Sequence, residues 1–127
     1  MRWLVDASNV MGSRPDGWWR DRAGAARRLI EEIRQWAPEA GGDDVTVVLD
    51  AGPDDLLGER DGVEVVRAPR RGRDAADDEI ARLLETTYDP ADAIVATSDA
   101  ALASRVRALG ARVEGAGTFR RRLASAP

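Results

Sequence analysis

Five short runs of consecutive apolar residues alternate with longer stretches of helical periodicity, and this alternation constrains the fold more than any other feature of the sequence. Continuous apolar runs of this length are typical of strands that are buried on both faces, as in a parallel sheet covered by helices. The predicted strands are residues 3–5, 45–49, 63–67, 93–96 and 111–114. The sequence therefore predicts an α/β fold with a mainly parallel five-stranded sheet.

Helical periodicity between these runs predicts the covering helices. Residues 17–37 form the first, with Trp19 on its core side and Trp18 free, and residues 74–87 form the second. A last full helix stops at Gly110, since glycine favours helix termination. Residues 53–60 are predicted to be a short helical or irregular crossover, and residues 119–123 a short basic tail.

Right-handed crossovers permit few arrangements of five parallel strands, and the doubly wound order 3-2-1-4-5 is the natural one. The first and fourth strands are then neighbours, and ligands usually bind in the crevice beyond the carboxyl ends of two such strands. A chain of 127 residues has the length of one domain, which we assign to residues 1–127.

Three residue types are missing from the chain. Histidine and cysteine are absent and all 19 basic residues are arginine, which excludes imidazole triads, thiol nucleophiles, zinc fingers, Schiff-base lysines and the Walker P-loop. A net charge of −4 argues against a surface uniformly basic for bulk nucleic-acid binding, although a local basic patch is compatible with it. The absence of a long apolar run and the early Asp6 predict a cytoplasmic protein without a membrane span or signal peptide.

Carboxylates follow several of the predicted core elements. Taken singly, each is more readily a turn former, a helix cap or a favourable charge in a first helical turn, and Asp74 fits a helix cap best. Asp50 is the weakest candidate because it follows a strand farther from the crevice. The candidates are Asp6, Asp50, Asp77, Asp78 and Asp99.

The candidate aspartates are more informative as a group than singly, because the predicted topology brings Asp6 and Asp99 together from distant parts of the sequence. Carboxylates that share a crevice without histidine or lysine usually hold a hard divalent cation such as Mg²⁺ or Mn²⁺. Asn9 follows Asp6 in the same predicted loop, and Thr97 and Ser98 precede Asp99. Their polar groups could orient a ligand or a carboxylate, or they could be ordinary turn and capping residues.

Basic charge is concentrated in one predicted loop. Arg67, Arg70, Arg71 and Arg73 lie in a stretch without acids that leads into the Asp77 helix, and residues 120–122 form a second cluster. Such a run is usually a solvated surface, but a positive loop beside an acidic metal site also suits a nucleic-acid backbone. We therefore predict that Arg70, Arg71 and Arg73 bind the phosphates of a nucleic acid.

The chain also resembles a known family. The stretch WLVDASNVMGSRPDGWWRDR is similar to the opening of NYN domains in the PIN-like nuclease superfamily, particularly YacP-like bacterial members, which begin with a strand and a D-G-x-N motif. The similarity continues in VTVVLDAG, APRRGRDAADDEIARLL and IVATSDAALASRVRALGARVEGAGTFRRRL. One departure is Ala7 in place of the motif glycine, which would strain the loop if that position required a positive φ.

The resemblance implies a metal-dependent endoribonuclease that uses Mg²⁺ or Mn²⁺ and has RNA as its partner. It implies a catalytic metal site at Asp6, Asp77, Asp78 and Asp99, with Asn9 and Ser98 as supporting polar groups. Two alternatives stay open: an RNA-binding module of the same fold without catalysis, and a magnesium-dependent phosphatase, which is disfavoured because Asp6-Ala7-Ser8 is not a D-x-D motif. The sequence also leaves open the RNA target, its delivery by the ribosome or another protein, and the oligomeric state.

Overall fold

A computed structural model describes residues 1–14, 16–40, 43–72 and 74–125. Six strands form one sheet with the order β3-β4-β2-β1-β5-β6. Every neighbouring pair is parallel except β3 and β4. The five predicted strands are thus confirmed in their predicted order, with a sixth added at one edge. The strands are β1 (Arg2–Asp6), β2 (Asp44–Leu49), β3 (Gly58–Arg60), β4 (Val63–Arg67), β5 (Ala93–Ala96) and β6 (Arg112–Glu114).

The added strand corrects the second half of the short helical or irregular crossover that was predicted at residues 53–60. A 3₁₀ turn at Asp54–Leu56 is followed by β3, which forms an antiparallel hairpin with β4. Asp61 and Gly62 connect the two strands with φ angles of 57° and 79°, and an Asp-Gly pair at positive φ is the preferred two-residue hairpin turn. All three residues of β3 are exposed, so no apolar pattern marked the strand.

The described residues form five α-helices around the sheet, and two of these differ from the prediction. The segment after β1 was expected to be a loop but forms α1, and the expected basic tail is part of α5, in which Phe119 and Leu123 are buried. The helices are α1 (Ala7–Gly12), α2 (Arg22–Trp36), α3 (Ala75–Thr86), α4 (Ala100–Ala108) and α5 (Ala116–Ala124).

The structure reverses the predicted environments of the two neighbouring tryptophans. Trp19 is 55% exposed, whereas Trp18 is partly buried against the core. The prediction was wrong because the helix begins only at Arg22, where the Asp21 side chain accepts a hydrogen bond from the Gly24 amide. Trp18 and Trp19 lie in a 3₁₀ turn before it, so the periodicity of the helix does not extend to them.

Two apolar layers, one on each face of the sheet, hold the helices in place. Alternate residues of a strand point to opposite faces, and accordingly Trp3 packs with Trp36 and Phe119 under α1, α2 and α5, while Leu4 packs with residues of α3 and α4. The ring centroids of Trp3 and Trp36 are 5.4 Å apart, with edge-to-face geometry. In the described part of the chain, no helix has the length and apolar composition needed to cross a bilayer.

Candidate active site

Asp6 is the last residue of β1 and lies at the centre of the sheet's carboxyl edge. Its side chain is almost completely buried, with 3% exposed. Oδ2 accepts a hydrogen bond of 2.9 Å from Thr97 Oγ1, which follows the neighbouring strand β5. Burial raises the pKa of Asp6 to about 6, the Thr97 hydrogen bond opposes this rise, and repulsion from Asp99 and Asp50 adds to it.

Asp99 is the cap residue immediately before α4, and its carboxylate has two roles. Oδ1 accepts a hydrogen bond of 3.0 Å from the Leu102 amide, so the predicted capping role is present. The same carboxylate is close enough to Asp6 and Asp77 to raise the pKa of both. Because the cap uses only Oδ1, capping the helix and contributing charge to the crevice are compatible.

Asp77 comes from the first turn of α3 and is the third member of the group. Partial burial raises its pKa to about 6, and the next largest causes are repulsion from Asp6 and then from Asp99. The structure therefore brings together Asp6, Asp77 and Asp99, which we call the acidic cluster. Three elements distant in sequence supply it, and the predicted topology required the approach of Asp6 and Asp99.

The other predicted carboxylates have different environments. Asp78 is exposed, and its Oδ1 accepts a hydrogen bond of 2.7 Å from Arg105 Nη1 on α4. Asp74 occupies the cap position of α3 but its side chain makes no capping hydrogen bond, so the prediction of a side-chain cap was wrong. Asp50, ranked lowest from the sequence, lies near enough to raise the pKa of Asp6.

Asn9 and Ser98 link three segments around the acidic cluster. The Ser98 amide donates a 2.7 Å hydrogen bond to Asn9 Oδ1, and Ser98 Oγ accepts a 2.8 Å hydrogen bond from the Ala116 amide at the start of α5. Asn9 lies in α1 and not in the predicted loop. These contacts position α1, the segment after β5 and α5 relative to one another.

Ala7 causes no strain where the family motif has glycine. It is the first residue of α1 and is buried, and Asp61 is the one non-glycine residue with a positive φ among those that the structure describes. Ala7 has a helical conformation, and alanine is the best helix former. Replacing the motif glycine with alanine therefore causes no backbone strain at this position.

The acidic cluster matches a hard divalent cation in its donor chemistry, since carboxylate oxygens are the ligands that Mg²⁺ and Mn²⁺ prefer. A bound cation would also offset the repulsion that raises the pKa values of Asp6 and Asp77. Within the described residues, however, no three histidine, cysteine, aspartate or glutamate side chains are already arranged around a common metal position. Binding would therefore require side-chain rotation within the cluster.

In the predicted basic loop, one arginine is already bound to other residues of the protein. Arg67 donates a 2.6 Å hydrogen bond to the Gly52 carbonyl and forms an ion pair with Asp54. Arg70 and Arg71 are exposed, and Arg73 lies outside the described residues. In the second basic cluster, Arg122 pairs with Glu114 and Arg120 with Glu32. Arg70 and Arg71 thus retain the surface exposure that RNA binding needs.

Comparison with known proteins agrees with this architecture. The model of the YacP-like NYN domain family matches residues 3–127, while no protein of curated function matches the chain. Crystal structures of Rae1 (YacP) from Bacillus subtilis and of a tryptophan-to-leucine mutant of it superpose with a TM-score of 0.75 at 23% identity. The likeness covers 98% of this chain and 74% and 75% of those chains, respectively, and at this identity it shows a shared fold.

The family match extends over nearly the whole chain, including all three segments that supply the acidic cluster. It supports a nuclease-like function related to RNA. The chain belongs to the YacP-like NYN domain family.

Proposed function

We propose that this protein is a metal-dependent endoribonuclease that hydrolyses RNA phosphodiester bonds at the acidic cluster. The observation that carries the proposal is the convergence of Asp6, Asp77 and Asp99, two of which have pKa values raised to about 6. Maintaining repelling carboxylates costs stability, and such strongly perturbed groups in a crevice are typical of functional sites.

Asp6, Asp77 and Asp99 would hold Mg²⁺ or Mn²⁺ in this proposal. The bound ion supplies charge stabilisation at the phosphate and lowers the pKa of the attacking water. The protein's own part is orientation: Thr97 fixes Asp6, and the Leu102 amide fixes one oxygen of Asp99. Hydrogen bonds to ligating carboxylates of this kind keep their oxygens directed at the metal.

Asp78 was grouped with the ligands on the family resemblance, and its ion pair with Arg105 now argues for a different role. Both side chains of the pair are substantially exposed, so the pair is weak. We assign Asp78 to the contact between α3 and α4, outside the first set of metal ligands.

RNA would approach over the exposed arginines that precede α3. Arg70 and Arg71, together with Arg73, would contact backbone phosphates, which makes binding independent of base sequence. The net charge of −4 makes such a local positive surface necessary, since the protein as a whole repels a polyanion.

Cleavage of an end-labelled RNA by the purified protein tests the proposal, with Mn²⁺, with Mg²⁺ and with excess chelator. We expect cleavage with metal only, and loss of cleavage by orders of magnitude in Asp6→Asn. Asp61→Asn is the matched control, because it removes the same charge from the β3–β4 turn and asparagine tolerates a positive φ. Cleavage in chelator would contradict the metal mechanism, and RNA binding without cleavage in either metal would leave an RNA-binding module.

A further inference from the structure

A cleft of about 600 Å³ opens beside the acidic cluster, at the carboxyl ends of β2 and β4. Its lining includes Asp50 and Gly52 after β2, Arg67 and Arg71 from the end of β4 and the loop that follows, and Arg22 at the start of α2. Asp50, which lines the cleft, is also near enough to Asp6 to raise its pKa, so this end of the cleft lies towards the acidic cluster. Clefts of this size accommodate small organic ligands, including nucleotides.

The three arginines of the cleft are not equivalent. Arg67 is held by the Gly52 carbonyl at 2.6 Å and by Asp54 at 2.8 Å, so its charge is already matched. In the described part of the chain, neither Arg22 nor Arg71 forms an ion pair. The cleft therefore offers two uncompensated guanidinium groups, one from α2 and one from the loop after β4.

Arg22 is held in place despite its lack of an ion pair. Its guanidinium carbon lies 5.2 Å from the centre of the Trp18 ring, and Trp18 packs against the core. A cation over an aromatic face keeps its outward N–H groups available while its position is fixed.

We propose that Arg22 and Arg71 together bind one backbone phosphate of a single-stranded RNA, next to the bond that is cleaved. This inference rests on the proposed function and adds Arg22, which no sequence motif indicated, to the binding surface. Planar guanidinium groups bind phosphate through paired hydrogen bonds, and one such group from α2 and one from the loop after β4 line the same cleft. Without metal the carboxylates repel phosphate, so the bound phosphate lies at the arginine end. The adjacent scissile phosphate would then lie towards the acidic cluster, where a bound cation would offset the repulsion.

The test measures binding without cleavage. Binding of a fluorescein-labelled single-stranded RNA hexanucleotide is followed by anisotropy in excess chelator at several salt concentrations. We expect Arg22→Ala and Arg71→Ala each to weaken binding about tenfold, as loss of a charged hydrogen bond does, and to reduce the slope of log affinity against log salt by about 0.7. Arg107→Ala, which removes one exposed charge from α4, is the control and should bind as the parent does.

A double variant decides whether the two arginines share a phosphate. If they do, Arg22→Ala with Arg71→Ala should bind little worse than either single variant, because the first substitution already releases the phosphate. Losses that multiply in the double variant, a single variant that binds like the parent, or a parent that does not bind the hexanucleotide would each overturn the proposal. Melting curves exclude unfolding as the cause of a loss.

The same variants separate this inference from the proposed nuclease. The arginine variants could show coupled losses of binding while the parent cleaves no RNA with Mn²⁺. That result would support the phosphate site and contradict the proposed nuclease activity. Cleavage of RNA by the parent, without coupling between Arg22 and Arg71 in the variants, would support the nuclease activity and contradict the shared phosphate site.

Discussion

Thr97 Oγ1 donates a hydrogen bond of 2.9 Å to Asp6 Oδ2 and accepts one of 3.1 Å from the Asp99 amide. One buried hydroxyl thereby joins the carboxylate at the end of β1 to the backbone that begins α4, across 91 positions of sequence. The bond also favours the ionised form of Asp6 and so limits the rise of its pKa. Thr97 is thus the residue on which the orientation of Asp6 depends most directly.

Thr97→Val should weaken metal binding by about tenfold, since removal of a hydrogen bond to a ligating group usually costs that much. Valine has the same shape, so the fold should persist with a loss of about 1 to 2 kcal/mol for the unsatisfied polar groups. Titration of Mn²⁺ against melting temperature measures both effects. Thr97→Ser retains the hydroxyl and should resemble the parent; a valine variant with unchanged Mn²⁺ affinity would contradict this role.

Metal-free protein should lose stability as the pH rises from about 4 to about 6. Asp6 and Asp77 have pKa values of about 6 in the folded chain against an ordinary value of 3.8. Between these values the folded chain retains protons that the unfolded chain has released, so removing them destabilises the fold. For buried Asp6 the whole effect is about 3 kcal/mol, and for the more exposed Asp77 it is smaller.

Urea unfolding in excess chelator at a series of pH values measures this decline. In Asp6→Asn the decline should be shallower, because one of the two titrating carboxyls is gone. A free energy of unfolding that rises over the same pH interval in the parent would show that the pKa values of Asp6 and Asp77 are not raised in the folded chain.

Asp99→Asn should separate the two roles of this residue. Asparagine caps a helix about as well as aspartate, so the Leu102 contact should survive while one repelling charge is lost. In chelator at neutral pH the variant should be as stable as the parent or more stable, by about 1 kcal/mol. Millimolar Mn²⁺ should raise the melting temperature of the parent and that of the variant much less. A destabilised variant and a parent indifferent to Mn²⁺ would reduce Asp99 to a cap.

The neighbouring residues Asp77 and Asp78 should respond very differently to the same substitution. Asp77→Asn removes a member of the acidic cluster and should lower the cleavage rate by orders of magnitude. Asp78→Asn should retain most activity and lose less than about 1 kcal/mol of stability, because its partner interaction is an exposed ion pair. Rates on one labelled RNA under saturating Mn²⁺ provide the comparison, with Arg105→Ala as a second way to break the same pair. Equal loss in the two aspartate variants would place Asp78 among the ligands.

The sheet order and the meeting of Asp6 with Asp99 could be predicted because both follow from strand patterning and the handedness of crossovers. The elements that escaped prediction lack an apolar signature of their own. β3 is exposed throughout and is specified by the Asp61-Gly62 turn, while α1 is only six residues long and starts directly after a strand. Turn chemistry would have revealed the hairpin, since Asp-Gly is its strongest local signal.

Side-chain environments were less accessible from the sequence than the fold. Asp77 and Asp78 are adjacent and chemically identical, and only the rotation of α3 decides that one faces the cluster and the other faces Arg105. The 3₁₀ turn before α2 likewise interrupts the periodicity that placed Trp19 in the core. No sequence motif marked Arg22 as a binding residue. It lines the cleft because α2 lies close to the loop after β4, although the two are distant in sequence.

The central position of β1 has a consequence for the order in which the protein is made. β1 is synthesised first, but its partner β5 and the residue Asp99 follow only after β2, β4 and α3. A nascent chain that ends before β5 holds Asp6 at an open sheet edge, with neither Thr97 to orient it nor Asp99 beside it. The acidic cluster is therefore complete only after most of the domain has been synthesised.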